Sequence, residues 1–199
     1  MNGLETHGNI RPLDLFSGSS GGVRTMSCTE PLQIRVLGLG NLMRTDDAIG
    51  MLAARRLADD DRFPQGIEVI EGGTLGLDLL HAVHGISHLL VMDAVDSGVA
   101  PGTVTQFSGD ELAGLPTSKS VHLLGFADLM DVLRLMGASP IEVVLLGVQP
   151  DSTDWGTELT PAIATAQTDL VEAAFRQITQ WGEEIRAFSA LASLSLAAL

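Results

Sequence analysis

Cysteine is almost missing: Cys28 is the only one in 199 residues. No intrachain disulfide can form, and no zinc cluster can be built on cysteines. Positive charge is scarce, with 11 Lys and Arg against 25 Asp and Glu, a formal net charge of −14. Such a surface repels phosphate backbones, so nucleic acid is not an expected partner. No apolar run reaches the length that spans a bilayer, so no membrane insertion is expected. Gly, Ser and Thr dominate the first 30 residues, which lack the apolar core of a signal peptide. A cytoplasmic location is the expectation. Several hydrolase signatures are also missing. There is no Gly-x-Ser-x-Gly elbow and no His-Glu-x-x-His helix. With its cysteine in the tail, the chain offers no thiol nucleophile.

Apolar residues make up 45% of the chain and charged residues 18%, the balance of a globular protein rather than a disordered one. Residues 1–31 read as a flexible extension containing the linker-like Ser17-Gly-Ser-Ser-Gly-Gly22. Residues 32–186 form the expected domain, and 187–199 a charge-free tail whose order the sequence leaves open. Strands are predicted at Ile34–Leu39, Ile67–Ile70, His88–Ala94 and Ile141–Val148, the first an apolar run broken only by Arg35, as expected of a strand covered on both faces. Thr103–Phe107 alternates polar with apolar, the pattern of an edge strand. Helical spacing predicts helices over Asp47–Leu57, with Ile49, Leu52, Ala53 and Arg56 on one face, and over Leu75–Val83. Two more follow: Leu123–Met136, with Leu124, Ala127, Met130 or Asp131, and Leu135 inward, and Pro161–Trp181. The expected fold is α/β: a three-layer sandwich with a mostly parallel, twisted sheet of about five strands and helices on both faces.

The segment Ile34-Arg-Val-Leu-Gly-Leu-Gly-Asn-Leu-Met-Arg-Thr-Asp-Asp-Ala-Ile-Gly50 carries the most chemistry. A strand runs into a turn at Gly38 and Gly40, and two carboxylates follow where a helix should begin. One of them has an ordinary use as the helix N-cap. A helix has one N-cap position, so the other acid is left for chemistry. In a parallel sheet, Asp47, Glu71 and Asp93 follow three successive strands and project over one edge, where active sites gather. His122, in the loop before the next helix, reaches the same place. Two carboxylates and an imidazole suit a hard-to-borderline metal or acid–base work. Each residue also has a structural reading: Asp93 as a turn or cap residue, Glu71 as a surface residue, His122 as a loop residue. His81, His84 and His88 form a second cluster, read as a wet helix end leading into a strand.

Five stretches in order carry a resemblance. They are Gly38–Gly50, Glu71-Gly-Gly-Thr-Leu-Gly76, Asp93-Ala-Val-Asp-Ser-Gly98, Ser120-Val-His122 with Gly125 and Asp128, and Val143–Pro150 with Leu159-Thr-Pro161. Over Ile34 to Gly182 the chain resembles the nickel–iron hydrogenase maturation endopeptidases. The resemblance implies an endopeptidase that removes a C-terminal extension from the nickel-loaded precursor of a hydrogenase large subunit. It places the metal-contacting positions at Asp47, Asp93 and His122, which leaves Asp46 nearer the N-cap, with Asp47 and Asp93 catalytic and nickel carried by the substrate. One departure stands out: the family often has Asp before Gly-Gly-Thr, whereas this chain has Glu71, a further catalytic candidate whose carboxylate sits one methylene further out. Two other readings stay open. One is a non-catalytic nickel chaperone on the same fold. The other is a Rossmann-type nucleotide-binding module, since Gly38-x-Gly40 follows a strand and Glu71 ends the next. Met43 in the third glycine's place, and the negative charge of Asp46 and Asp47, weigh against the last.

Overall fold

The computed structural model describes residues 33–115, 120 and 122–196. The chain divides into the units Met1–Glu30 and Pro31–Leu199. The expected extension, with Cys28, lies outside the described residues. In the second unit, β1 (Ile34–Leu39) leads through a 3-10 turn, Thr45–Ala48, into α1 (Ile49–Ala58). Then come β2 (Glu68–Gly73), a second 3-10 turn at Gly76–Leu79, α2 (Leu80–Val83) and β3 (His88–Ala94). The chain continues with β4 (Val104–Ser108), α3 (Gly109–Ala113), α4 (Leu123–Leu135), β5 (Glu142–Val148) and α5 (Pro161–Leu196).

The five strands form one sheet in the order β2-β1-β3-β5-β4. Pairings among β2, β1, β3 and β5 are parallel, and β4 joins β5 antiparallel at the edge. The expected edge strand and mostly parallel sheet are therefore present. Side-chain alternation divides the core in two. Val36, Leu90, Met92 and Leu146 point to the face covered by α1 and α5. Leu37, Leu39, Leu89, Val91 and Leu145 point to the face covered by α2 and α4. Every residue of β3 is buried, as its central position requires.

The order reverses between β1 and β3. From β1 the chain goes outward to β2 through α1, then returns past β1 to β3 on the other side. Such a switch point opens a crevice beyond the strands' C-terminal ends, where α/β proteins place ligands. Asp47 follows β1 and Asp93 lies near the end of β3, so both border it.

Some local expectations needed correction. The carboxylates precede α1 inside the 3-10 turn instead of starting the helix. The turn after β1 is made at Gly40, with φ +140°, while Gly38 stays within the strand. A Cβ on Gly38 would lie 2.6 Å from both the Ala54 Cβ and the Gly50 carbonyl oxygen, so this glycine serves close strand–helix contact. On α1 the buried face is Ile49, Gly50, Met51, Ala53, Ala54 and Leu57, with Arg56 exposed. On α4 it is Leu123, Phe126, Leu129, Met130 and Leu133, leaving the expected Leu124 and Leu135 in solvent. Helix packing against a sheet selected a stripe displaced from the one that spacing alone suggested. The closing helix also continues past Trp181 to Leu196, so most of the residues taken as a tail are helical.

Candidate active site

The three residues singled out by the resemblance, Asp47, Asp93 and His122, meet at the crevice. His122 precedes the first turn of α4, and its imidazole lies between the two carboxylates. Its Nδ1 is 3.0 Å from Asp93 Oδ1, and its Nε2 is 3.5 Å from Asp47 Oδ2. The latter is an ionic contact too long for a hydrogen bond, and Asp47 Oδ2 is buried with no hydrogen-bond partner. Asp93 is fully buried within β3 rather than projecting over the sheet edge. Its Oδ1 also accepts the Ala94 N–H at 2.9 Å, and its Oδ2 accepts the Ser120 hydroxyl at 2.5 Å. The Ser120 hydroxyl oxygen in turn accepts the His122 backbone N–H at 3.2 Å. Ser120 thus ties Asp93 to the loop that carries His122, a role that neither periodicity nor spacing reveals.

Burial and charge shift the pKa values of Asp47 and His122. Burial raises the Asp47 pKa from its ordinary value, and the nearby Asp93 charge adds to the rise, outweighing His122 and Arg44. Burial works against a charged His122. The Asp93 hydrogen bond and the charges of Asp93 and Asp47 nonetheless prevail and raise its pKa. The two carboxylates therefore favour a proton on the imidazole between them. Among the described residues, no group of three or more His, Cys, Asp and Glu side chains is already set to hold a metal. Here Asp93 is hydrogen-bonded to His122 and Ser120, while Asp47 Oδ2 has only the longer ionic contact with His122.

A cleft of about 240 Å³ opens beside the trio and is lined by Asp47, His122, Asn41, Arg44, Gly73, Thr74 and Gly76. Apolar side chains of Leu39, Leu79, Leu124, Phe126 and Leu129 complete it, with Gly125. Gly76 and Gly125 face each other: a Cβ on Gly125 would stand 3.2 Å from the Gly76 Cα. This approach brings the loop after β2 against α4 and closes one wall.

Glu71 does not join the trio. Residues 70 and 72 of β2 face the α4 side, so alternation turns Glu71 toward α1. There it accepts a two-pronged hydrogen bond from Arg55, at 3.0 and 2.6 Å, which lowers its pKa. The histidine cluster disperses as well. His81 and His84 are exposed near α2, whereas His88 is buried, with its ring 5.0 Å from that of Trp181.

Asp46 is not a helix cap. It is fully buried and binds the loop between β5 and α5. Oδ1 accepts the Thr160 N–H at 2.7 Å. Oδ2 accepts the Asp151 and Ser152 N–H groups at 3.0 and 2.9 Å and the Thr160 hydroxyl at 3.0 Å. Next to it, Thr45 holds a left-handed φ of +32°, and its hydroxyl donates to the Ser152 carbonyl at 2.6 Å. Backbone strain here is held in place by this lacing of two loops, and the result fixes the turn from which Asp47 enters the cleft. Sequence reading also missed Gln149, just after β5. Its Oε1 accepts the N–H groups of Ser97, Gly98 and Val99 and so organises the loop after β3. Gln149 followed a strand within a quoted motif, which was the available signal.

Comparison with known proteins adds to this geometry. The hydrogenase maturation protease family profile (HycI) matches residues 51–177. The hydrogenase expression/formation protein HupD of Rhodobacter capsulatus is 34% identical over 163 residues, covering 80% of this chain and 78% of the relative. The hydrogenase 2 maturation protease of Escherichia coli is 36% identical over 149 residues, covering 74% and 88%. Among solved structures, the hydrogenase maturating endopeptidase HybD of E. coli superposes with a TM-score of 0.72 at 35% identity, covering 76% of this chain and 94% of that one. HybD from Thermococcus kodakarensis gives 0.64 at 27% identity, covering 73% and 99%.

Proposed function

Because this chain belongs to the hydrogenase maturation protease family, we propose that it removes a C-terminal extension from the nickel-loaded precursor of a hydrogenase large subunit. The enzyme is a hydrolase. Membership in a protease family sets aside both the non-catalytic chaperone and the nucleotide-binding module as leading readings. Among the described residues no helix is long and apolar enough to cross a membrane.

One observation carries the proposed site: His122 between Asp47 and Asp93, with Asp47 Oδ2 buried and unpartnered beside an open cleft. The residues fit a borderline cation presented by the substrate, since two carboxylates and an imidazole are suitable donors for nickel. Asp47 and His122 line the cleft and meet the ion first. Asp93 stands behind the imidazole, and its pairing with His122 is one that a cation would replace. The two carboxylates that now favour a proton on His122 would favour a divalent ion for the same electrostatic reason. A precursor without nickel lacks this link and binds weakly. No cysteine is required of the enzyme, because the substrate holds the metal.

For peptide hydrolysis, the chain's own residues supply a base. Burial raises the basicity of Asp47, which lines the cleft and whose Oδ2 has no hydrogen-bond partner. Asp47 takes a proton from a water molecule as the water oxygen attacks the scissile carbonyl. The proton then passes to the leaving amine as the C–N bond breaks. Arg44 lines the same cleft, and its charge, like that of His122, works against the rise in the Asp47 pKa. The test is intact-mass analysis of nickel-loaded precursor incubated with the protein. A single loss at the C-terminus is expected. An unchanged mass after prolonged incubation removes the reading.

A further inference from the structure

Trp155 is 77% exposed, although large apolar side chains are ordinarily buried. Its loop is firmly held. The Gly156 N–H donates to the Met43 carbonyl at 3.0 Å, and the Thr45 N–H donates to the Gly156 carbonyl at 2.9 Å. Arg44 Nε donates to the Thr153 carbonyl at 2.9 Å. The Arg44 guanidinium lies 5.6 Å from the centre of the indole ring, within cation–π range. Arg44 also lines the catalytic cleft, so the indole stands on the cleft's own rim. Beside it, Leu42 and Met43 are 37% and 55% exposed on the loop that Gly156 pairs with. Folding does not require these three apolar side chains to be in water, and the lacing beneath them keeps them there. Exposed carboxyl-bearing residues Asp151, Asp154 and Glu158 flank the indole in sequence, on a chain of net charge −14.

We propose that Trp155, Met43 and Leu42 form a docking surface for the substrate protein, receiving an apolar patch bordered by basic residues on the folded precursor, outside the bond that is cut. An aromatic anchor at the centre with a charged rim is the composition of a protein–protein hot spot. The acidic rim selects basic neighbours, and continuity with the cleft places the partner where cleavage occurs. The inference rests on the precursor being the substrate, and it adds a contact that holds the folded protein as well as its metal.

Two measurements test it. In the first, cleavage kinetics of nickel-loaded precursor are compared for the wild type, Trp155→Ala and Trp155→Phe. The alanine variant should raise KM about tenfold and leave kcat within about twofold, the pattern of lost uniform binding. Phenylalanine should recover most of the loss. In the second, Asp47→Asn protein carrying 5-fluorotryptophan is titrated with unlabelled precursor and followed by fluorine NMR. The chain has two tryptophans, and Trp181 is fully buried. The Trp155 signal, assigned through Trp155→Phe, should shift or broaden while that of Trp181 holds. Normal cleavage with unchanged KM and a static Trp155 signal overturns the docking surface and leaves the protease reading intact. A shifted Trp155 signal with no wild-type cleavage keeps the docking surface and overturns processing. A static signal with no cleavage overturns both.

Discussion

Replacing Asp46 by alanine separates a clamp from a cap. As an N-cap, this residue would be worth about 1 kcal/mol. As placed here it is fully buried and its carboxylate accepts four hydrogen bonds, three from backbone N–H groups and one from a hydroxyl. Hydrogen bonds to a charged group contribute about 1.5–3 kcal/mol each, so simple addition gives roughly 6–12 kcal/mol. Addition overestimates the loss, because Ser152 and Thr160 are only partly buried and water can reach the freed donors. The better guide is removal of one partner from a buried charged network, about 3–5 kcal/mol. Urea unfolding measures it. With an m-value of about 2 kcal/mol/M, the midpoint should fall by roughly 1.5–2.5 M at constant slope. A fall under about 0.5 M would return Asp46 to the rank of a cap and refute the clamp. Asp46→Asn should lose much of the same stability, since its amide nitrogen meets donors where an acceptor is needed.

Other outcomes follow from the same geometry. Asp47→Asn should abolish cleavage while keeping or raising the thermal midpoint, because it removes a buried charge with an unpartnered oxygen; a clearly lower midpoint would show that the carboxylate is structural. Cleavage should need neutral His122 and fall on acidification, with its midpoint above the ordinary histidine value of about 6.5 because the folded-state pKa is raised; a midpoint below that value in the free enzyme would contradict the carboxylate pairing. Stability of the metal-free protein should move the opposite way: the His122 contribution is full below about pH 6.5 and lost as pH rises through the raised folded value, which His122→Gln should flatten in pH-dependent melting. Glu71→Gln should leave the cleavage rate within about twofold, since this exposed carboxylate faces Arg55 across the sheet from His122; a large loss in single-turnover rate would show that it swings round the sheet edge to the cleft.

The fold class was legible in the sequence because buried parallel strands must be continuously apolar and their crossovers must be helical. Strand β3 was read to the residue for that reason, flanked as it is on both sides and both faces. The inner stripes of α1 and α4 were not, since helical spacing gives a period, while the angle at which a helix lies on its sheet sets the phase. Taking the strands as parallel brought Asp47, Glu71, Asp93 and His122 to one sheet edge, and the resemblance singled out the three that meet there. Their partners were not legible in this way. Whether a carboxylate at a strand end points to one face or the other depends on the pleat of that strand, and this sends Glu71 to Arg55 and Asp93 to His122. Adjacent Asp46 and Asp47 look alike in sequence. Only contact with the loop before α5, more than a hundred positions away, makes one a clamp and leaves the other an oxygen to spare. Local chemistry along the chain determined which residues were available, and long-range packing decided what each of them faces.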